Sequence, residues 1–166
     1  MEKIKINNYS FAYPEQEKYA LENISFTVEK GEFVVVCGKS GCGKSTLLRQ
    51  LKSAIAPHGV RNGDILFEGI SLESLDIKKQ AAEIGFVQQS PENQIVTDKV
   101  WHELAFGLES LGEDTQAIRR KVAEMSSFFG LENLFYCDTA SLSGGQKQRL
   151  SIARAICKKP DIFIFD

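Results

Sequence analysis

Residues 38–46 read Gly38-Lys39-Ser40-Gly41-Cys42-Gly43-Lys44-Ser45-Thr46. The spacing G-x-x-x-x-G-K-S is typical of a loop that binds phosphate groups, because glycines let the backbone curl until successive N–H groups face the phosphate oxygens. In such a loop the Lys44 ammonium is predicted to reach the β- and γ-phosphates of a nucleotide, and the Ser45 hydroxyl is predicted to hold Mg²⁺. The alternative is a chance match within a glycine-rich turn.

The segments on either side of this loop argue against a chance match. Residues 33–37 form a continuous apolar run, which predicts a strand buried on both faces. Residues 47–52 predict a helix, whose N-terminus would add a partial positive charge beside the phosphates. A strand, a phosphate loop and a helix in this order are the context that the chemistry requires.

Apolar periodicity predicts both strands and helices in the rest of the chain. Strands are predicted around Ile4 and Ile6, over residues 21–28, over residues 65–67 after a turn at Asn62-Gly63-Asp64, over residues 84–87 and over residues 162–165. Between residues 97 and 129 two helices are predicted, separated by Gly112. Their apolar faces comprise Val100, Leu104 and Leu108 in the first, and Ile118, Val122, Met125 and Phe129 in the second. A polar turn over residues 138–141 and a further helix to about residue 156 follow. The pattern predicts an α/β sheet that carries a helical subdomain.

Composition excludes several classes of protein. The 166 residues carry a net charge of −2 with no basic block, so the electrostatic footprint of a nucleic-acid binder is missing. The four cysteines show no CxxC spacing, and Cys37 and Cys42 lie in apolar or glycine-rich surroundings that suit small, packed, reduced thiols, which favours a reducing cytoplasm. Neither a signal peptide nor an apolar run of membrane-spanning length is evident, so a membrane connection is expected only through a partner protein.

Two further motifs accompany the phosphate loop. An apolar strand that ends in Asp166 can present a carboxylate to the magnesium shell of a nucleotide. Ser143-Gly144-Gly145-Gln146 has the spacing of a helix capping box, and its two glycines leave the N–H groups of the helix start uncovered as a second anion site. The alternative for the second motif is a well-capped helix and nothing more.

The order of these motifs over essentially the whole chain resembles that of the ABC ATPase family. The resemblance implies a P-loop NTPase core, with a mixed sheet and an antiparallel β subdomain, plus an inserted α-helical subdomain. It divides the chain into residues 1–88 (nucleotide-binding core and β subdomain), 89–141 (helical subdomain) and 142–166 (signature helix and the strand of Asp166). It also implies ATP and Mg²⁺ as ligands.

The resemblance also implies residue roles. Tyr13 would stack on adenine, or else it packs in a hairpin. Gln89, with Gln88 as the alternative, would contact Mg²⁺ and the attacking water, or else it is a polar surface residue. Lys44, Gln89 and Asp166 would serve the reaction, and Ser45, Gln89 and Asp166 would hold the metal. Residues 143–146 would act in trans, since two cassettes of this family pair head to tail and each signature closes over the other's ATP.

Within the family, two stretches look most like the cobalt and energy-coupling-factor uptake ATPases. They are Pro91-Glu92-Asn93-Gln94 and Ala105-Phe106-Gly107-Leu108-Glu109. The alternative is that Ala105, Phe106 and Leu108 are only helix core, since apolar residues at helical spacing usually are.

The chain departs from the family pattern after Asp166. A complete cassette continues with a catalytic glutamate, a further strand and a switch histidine, and neither His58 nor His102 fits the histidine by order. The missing strand would lie between the strand of the phosphate loop and that of Asp166, so residues 1–166 are expected to be a truncated cassette that folds poorly and does not hydrolyse ATP.

Three functions remain open at this level. The first is a peripheral ATPase subunit at the cytoplasmic face of the cell membrane, which powers uptake through a membrane-embedded transporter subunit. The second is a non-transport ABC ATPase. Chromosome-type members insert a long coiled coil between the loop of Gln89 and the signature at residues 143–146, whereas only residues 91–141 lie there in this chain. The third is a fragment that binds ATP without hydrolysing it. The transported substrate and the choice between homodimer and heterodimer stay open.

Overall fold

The computed structural model describes residues 1–16 and 18–166. They form six strands, β1 (Glu2–Ala12), β2 (Leu21–Glu29), β3 (Val60–Phe67), β4 (Ile70–Ser71), β5 (Ile84–Val87) and β6 (Ile162–Phe165), and five α-helices, α1 (Lys44–Gln50), α2 (Ile77–Glu83), α3 (Val100–Leu111), α4 (Thr115–Phe128) and α5 (Gly144–Cys157). The chain divides into two compact units, Met1–Gln80 and Ala81–Asp166. The domain boundaries expected at residues 88 and 141 stay predictions.

The first unit contains an antiparallel sheet with the strand order β2-β1-β3-β4. In the central strand β1, Ile6 lies opposite Phe26 of β2 and Ile65 of β3. Ile6, Phe11 and Phe67 are almost completely buried, so the apolar face of the sheet forms the core of this unit. The strands predicted around Ile4 and over residues 21–28 are confirmed.

The turn predicted at residues 62–64 is wrong, because these residues lie inside the continuous strand β3. Gly63 has a φ of +85°, and a Cβ atom there would lie 2.4 Å from the carbonyl oxygen of Asn8. The β1–β3 register shifts at this point, between Asn7 and Ser10. Glycine is therefore required by a β-bulge, which uses the same conformational freedom as a turn.

The buried strand predicted over residues 33–37 is also wrong. None of the strands among residues 1–16 and 18–166 pairs with this segment, and the side chains of Phe33 and Val35 are 89% and 65% exposed. A strand requires hydrogen bonds to a neighbouring strand, which an apolar run cannot supply by itself. Cys37 and Cys42 are likewise exposed, so the packing expected for their thiols is wrong as well.

The second unit contains a parallel pair of strands and three helices. Strands β5 and β6 pair with Ile84 opposite Ile162 and Val87 opposite Phe165. Helices α3, α4 and α5 share a core that includes Val100, Leu104, Leu108, Val122, Leu131, Leu142, Leu150, Ala153 and Cys157. The two helices and the apolar faces predicted between residues 97 and 129 are confirmed, with Ile118, Met125 and Phe129 partly buried against this core.

Helix ends in the second unit follow local chemistry. Helix α3 ends at Gly112, which adopts φ +78° and so accepts the left-handed conformation at low cost. Helix α4 begins after Asp114, whose carboxylate accepts hydrogen bonds from the N–H groups of Gln116 and Ala117. Residue type alone therefore predicts the break between these two helices.

Candidate functional site

The Lys44 side chain lies across the phosphate loop. Its Nζ donates hydrogen bonds to the carbonyl oxygens of Gly38 (3.0 Å) and Lys39 (2.8 Å), and it lies 3.8 Å from Sγ of Cys42. An ammonium group has three N–H donors, of which the two carbonyls engage two. The positive charge is thus held over the concave side of the loop by the loop's own backbone.

Glycine conformations produce the curl of the loop. Gly41 and Gly43 have φ angles of +79° and +94°, which side-chain-bearing residues rarely adopt. At Gly43 a Cβ atom would also lie 2.6 Å from the carbonyl oxygen of Ala20, and at Gly38 it would lie 2.7 Å from Sγ of Cys42. Gly43 is the N-cap of α1, and no side chain in the described part of the chain caps this helix. Its first turn therefore suits an anion as the hydrogen-bond acceptor.

Thr46 and Tyr13 join the phosphate loop to strand β1. The two hydroxyl oxygens are 2.9 Å apart, and the Tyr13 ring meets Phe11 edge to face with 4.9 Å between ring centres. The structure therefore brings Tyr13 to the start of α1, next to the predicted phosphate site. Its predicted role toward adenine stays a prediction.

Gln89 and Asp166 follow the two parallel strands of the second unit. The N–H group of Asp166 donates to the carbonyl oxygen of Val87 (3.0 Å), which continues the pairing of β5 and β6. The carboxyl ends of both strands thus lie at the same edge, with Gln89 exposed and Asp166 half-buried. Hydroxyl, amide and carboxylate oxygens are donors that Mg²⁺ accepts, so the predicted set of Ser45, Gln89 and Asp166 fits this metal chemically. Ser45 belongs to the first unit.

Residues 143–146 form the predicted capping box at the start of α5. The Ser143 N–H donates to Oε1 of Gln146 (2.8 Å), and the Gln146 N–H donates to Oγ of Ser143 (3.4 Å). Gly144 and Gly145 have no positive φ, and a Cβ atom at either would meet no atom of residues 1–16 or 18–166 within 4 Å. The chain's own conformation and packing therefore do not require glycine at these two positions.

The sequence patterns did not predict one cluster of polar side chains in the second unit. Glu103 is completely buried on the apolar face of α3 and pairs with Arg154 of α5. Ala105 and Leu108 are buried in the core of the second unit, whereas Phe106 is 37% exposed. One feature of the sequence could have indicated the pair of Glu103 and Arg154. Glu103 lies on the same face of the helix as Val100 and Leu104, and a carboxylate buried there requires a partner.

Comparison with known protein sequences places these motifs in context. A family profile described as "ABC transporter" matches residues 21–166. A putative ABC transporter ATP-binding protein of Bacillus thuringiensis subsp. konkukian (strain 97-27) is 43% identical over 162 residues, which cover 98% of this chain and 29% of that protein. The energy-coupling factor transporter ATP-binding protein EcfA1 of Mycoplasmopsis synoviae (strain 53) is 35% identical over 164 residues, which cover 98% of this chain and 60% of that protein. The chain thus spans less than two thirds of the length of these relatives.

Two solved structures share the fold. The structure of cbiO1 from Clostridium perfringens, described as part of the ABC transporter complex cbiONQ, matches with a TM-score of 0.82 at 29% identity, covering 100% of this chain and 66% of that one. The ATP-binding cassette MJ0796, in a dimeric post-hydrolysis state bound to ADP and Pi, matches with a TM-score of 0.85 at 28% identity, covering 98% of this chain and 73% of that one. These matches confirm the predicted fold class.

Proposed function

Because this chain belongs to the ABC transporter family, we propose that it is the ATP-binding part of an importer and couples ATP binding and hydrolysis to substrate uptake. The observation that carries the proposal is the phosphate loop, whose glycines curl the backbone around the Lys44 ammonium. This geometry suits a polyphosphate, because backbone N–H groups and one fixed positive charge then face the same anion.

Each predicted site residue has a role in the proposed reaction. Backbone groups of residues 38–46 bind the phosphates of ATP, and Lys44 stabilises the negative charge that develops on the β- and γ-phosphates. Ser45, Gln89 and Asp166 would hold Mg²⁺, which when bound would neutralise charge on the same phosphates. Gln89 orients the attacking water, and Tyr13 stacks on the adenine ring.

We further propose that residues 143–146 act on the nucleotide of a second cassette, paired head to tail. Gly144 and Gly145 support this, because none of the described residues fills the space where their Cβ atoms would lie. Glycine is useful at such a position when a group from outside must approach the backbone closely. The dimeric state of the MJ0796 cassette bound to ADP and Pi is consistent with pairing.

Transport is the proposed role of the hydrolysis. Among the residues that the structure describes, no helix combines the length and the apolar character that a membrane span requires. We propose that the protein acts at the cytoplasmic face of the membrane, through a membrane-embedded subunit. The names of the EcfA1 relative and of the cbiO1 structure support an uptake system, and the resemblance of residues 91–94 and 105–109 points to one of the cobalt or vitamin type.

The central test is nucleotide binding and phosphate release by the full-length protein with MgATP. Lys44→Ala should abolish turnover and weaken ATP binding, because the loop loses its only charge fixed by two backbone carbonyls. Lys39→Met is the matched control, since it removes an equal charge from an exposed side chain of the same loop. Unchanged affinity and turnover in Lys44→Ala would show that this loop is not the ATP site.

A separate experiment addresses transport. The full-length protein should co-purify with an integral membrane protein, and reconstituted vesicles should take up substrate only with hydrolysable ATP. An active ATPase that neither binds membranes nor supports uptake would favour a non-transport member of the family.

A further inference from the structure

We propose that Gln94, Glu103 and Arg154 form a partly buried clamp that holds the loop after β5, here called the Gln89 loop, against α5, and that these three are positioning residues for ATP hydrolysis. This inference rests on the proposed function for its readout, although the clamp itself is defined by contacts within the second unit. None of the three side chains is proposed to touch ATP. They act by fixing where Gln89 lies relative to the start of α5.

The Gln94 side chain closes the loop that contains Gln89. Its Nε2 donates to the carbonyl oxygen of Phe86 (2.7 Å), and its Oε1 accepts from the N–H group of Gln88 (3.0 Å). The side-chain amide therefore pairs with the backbone at the end of β5 as a neighbouring strand would. Gln89 directly follows this pair, so the path of its backbone is set by the position of Gln94.

Arg154 joins Gln94 to helix α5. Its Nη1 donates to the carbonyl oxygen of Gln94 (2.5 Å) and lies 2.7 Å from Oε1 of Glu103. Its guanidinium carbon lies 5.7 Å from the centre of the Phe106 ring. A guanidinium group held by a carboxylate, a carbonyl and an aromatic face has little freedom left. The Gln89 loop is thus bound to the helix that begins at Gly144.

Glu103 holds both Arg154 and the part of the Gln89 loop that contains Val96 and Thr97. Its side chain is completely buried, and Oε2 accepts hydrogen bonds from the N–H groups of Val96 (3.0 Å) and Thr97 (2.9 Å) and from the Thr97 hydroxyl (3.0 Å). One carboxylate therefore uses one oxygen for the loop and the other for α5. Removing it would release both at once.

Stability alone does not account for a buried pair of this kind. Desolvation of two charges offsets much of their attraction, so apolar residues of similar volume at such positions are often equally stable or more so. What a connected cluster of paired polar groups supplies is a single geometry. Here that geometry fixes the loop of Gln89 relative to the helix that begins with residues 143–146. In the proposed dimer, Gln89 and residues 143–146 of one chain act on two different nucleotides.

The first test compares kinetics in the full-length protein. Arg154→Met and Gln94→Met should lower kcat on the order of tenfold to a hundredfold, because displacement of a reacting group by about 1 Å has an effect of this size. The KM for ATP and the affinity of the isolated cassette should stay within about threefold of wild type, since the phosphate loop is untouched. Glu92→Gln is the matched control. It breaks the exposed ion pair with Lys147 (3.0 Å), which also joins this loop to α5, and should leave kcat nearly unchanged.

A second variant covers the possibility that Arg154→Met fails to fold with an unpaired carboxylate. The double variant Glu103→Gln with Arg154→Met buries no charge and should therefore fold. Its kcat should fall as much as that of Arg154→Met, because the carbonyl of Gln94 is released in both. All rates are compared well below each melting temperature. Double-variant turnover equal to wild type would overturn the proposal, as would a parallel loss of ATP affinity and turnover.

Hydrogen exchange separates failure of the clamp from failure of the proposed function. In Arg154→Met or the double variant, the peptide covering residues 86–97 should exchange faster than in wild type, whereas Glu92→Gln should not change it. This readout needs no ATPase activity. Unchanged protection in both variants would show that the clamp does not hold the loop, even if the protein is an active ATPase.

Discussion

Tyr13 carries two separable chemical groups beside the phosphate loop. Its hydroxyl lies 2.9 Å from that of Thr46, at the start of α1, while its ring is braced by Phe11. A hydrogen bond of this kind contributes about 0.5–1.5 kcal/mol and acts on the position of the loop. The ring is the part that could stack on a base. Substitutions at this one residue can therefore distinguish an anchoring role from a binding role.

We expect Tyr13→Phe to keep the ATP affinity of wild type to within a few-fold, and Tyr13→Ala to lose roughly 1–3 kcal/mol of binding energy, the usual contribution of one base stacked on an aromatic ring. Isothermal titration with ATP measures both. Tripolyphosphate, which has no base, should bind all three proteins alike. Equal losses for the phenylalanine and alanine variants would assign Tyr13 to anchoring through its hydroxyl.

At the scale of single elements, helix α5 has a different chemistry at each end. Its N-terminus is capped by Ser143 and Gln146 and begins with two exposed glycines. Near its C-terminus, Cys157 is 2% exposed and belongs to the core of the second unit. The first end presents backbone N–H groups outward, and the second is fixed by packing, so changes at the two ends should have unrelated effects.

Gly145→Asp should cut turnover far more than it weakens ATP binding by an isolated cassette. A carboxylate at a helix N-terminus is favourable for the helix by about 0.3–1 kcal/mol, so the melting temperature should not fall. The same charge would repel the phosphates of a partner's ATP. Gly145→Ala, which adds a Cβ atom into open space, is the neutral control for side-chain size. Binding that weakens as much as turnover would refute the in-trans role.

Cys157 predicts a pH dependence of stability. Burial raises the pKa of its thiol from 9.0 to about 12, because the thiolate is poorly solvated in the core. Above pH 9 the unfolded chain loses this proton while the folded chain keeps it, so the stabilisation that is complete below pH 9 is lost as the pH rises toward about 12. The slope of the unfolding free energy contributed by this group is at most about 1.4 kcal/mol per pH unit.

Cys157→Ala should therefore flatten the decline of stability between pH 9 and pH 11, although it lowers stability at neutral pH through the lost side-chain volume. Urea unfolding at several pH values measures both effects. Cys137→Ala, at a half-buried position, controls for thiol chemistry in general. An identical decline in Cys157→Ala and wild type would show that another group is responsible.

At the scale of the whole molecule, two short segments of the chain each carry neighbouring exposed apolar side chains. Phe33 and Val35 are 89% and 65% exposed, and Phe163 and Phe165 are 40% and 57% exposed. Phe128 is 77% exposed but lies in helix α4, where the backbone hydrogen bonds are made within the helix. Residues 33–37 pair with no described strand, and the described residues place only β5 beside β6. Apolar side chains beside backbone groups that lack a strand partner promote association between chains.

A protein comprising residues 1–166 should therefore aggregate at micromolar concentration, and Phe33→Glu together with Val35→Lys should raise its soluble fraction. Charges on an unpaired strand-like segment oppose pairing between chains. Phe128→Glu, which removes a largely exposed aromatic ring from a helix, should have a smaller effect. Static light scattering and the soluble fraction after centrifugation measure the difference. A larger improvement from Phe128→Glu would show that exposed aromatic area alone drives the association.

Features that depend on residues close together in sequence could be derived from the sequence alone. The phosphate loop, the capping box of Ser143 and Gln146, the break at Gly112 and the faces of α3 and α4 follow from spacing and residue type, because each requires only local backbone geometry. Their positions agree with the structure to within a few residues. The resemblance to the ABC ATPases rested on the order of these local motifs.

Tertiary structure decided what depends on a distant partner. The apolar run at residues 33–37 has the composition of a buried strand, yet no described strand pairs with it. Gly63 serves a bulge against Asn8, although its neighbours suggested a turn. The pairing of Glu103 with Arg154, which lie in two different helices, could not be read from either residue's surroundings in the sequence. Strand pairing and burial of charge are properties of two segments at once, and a linear pattern describes only one of them.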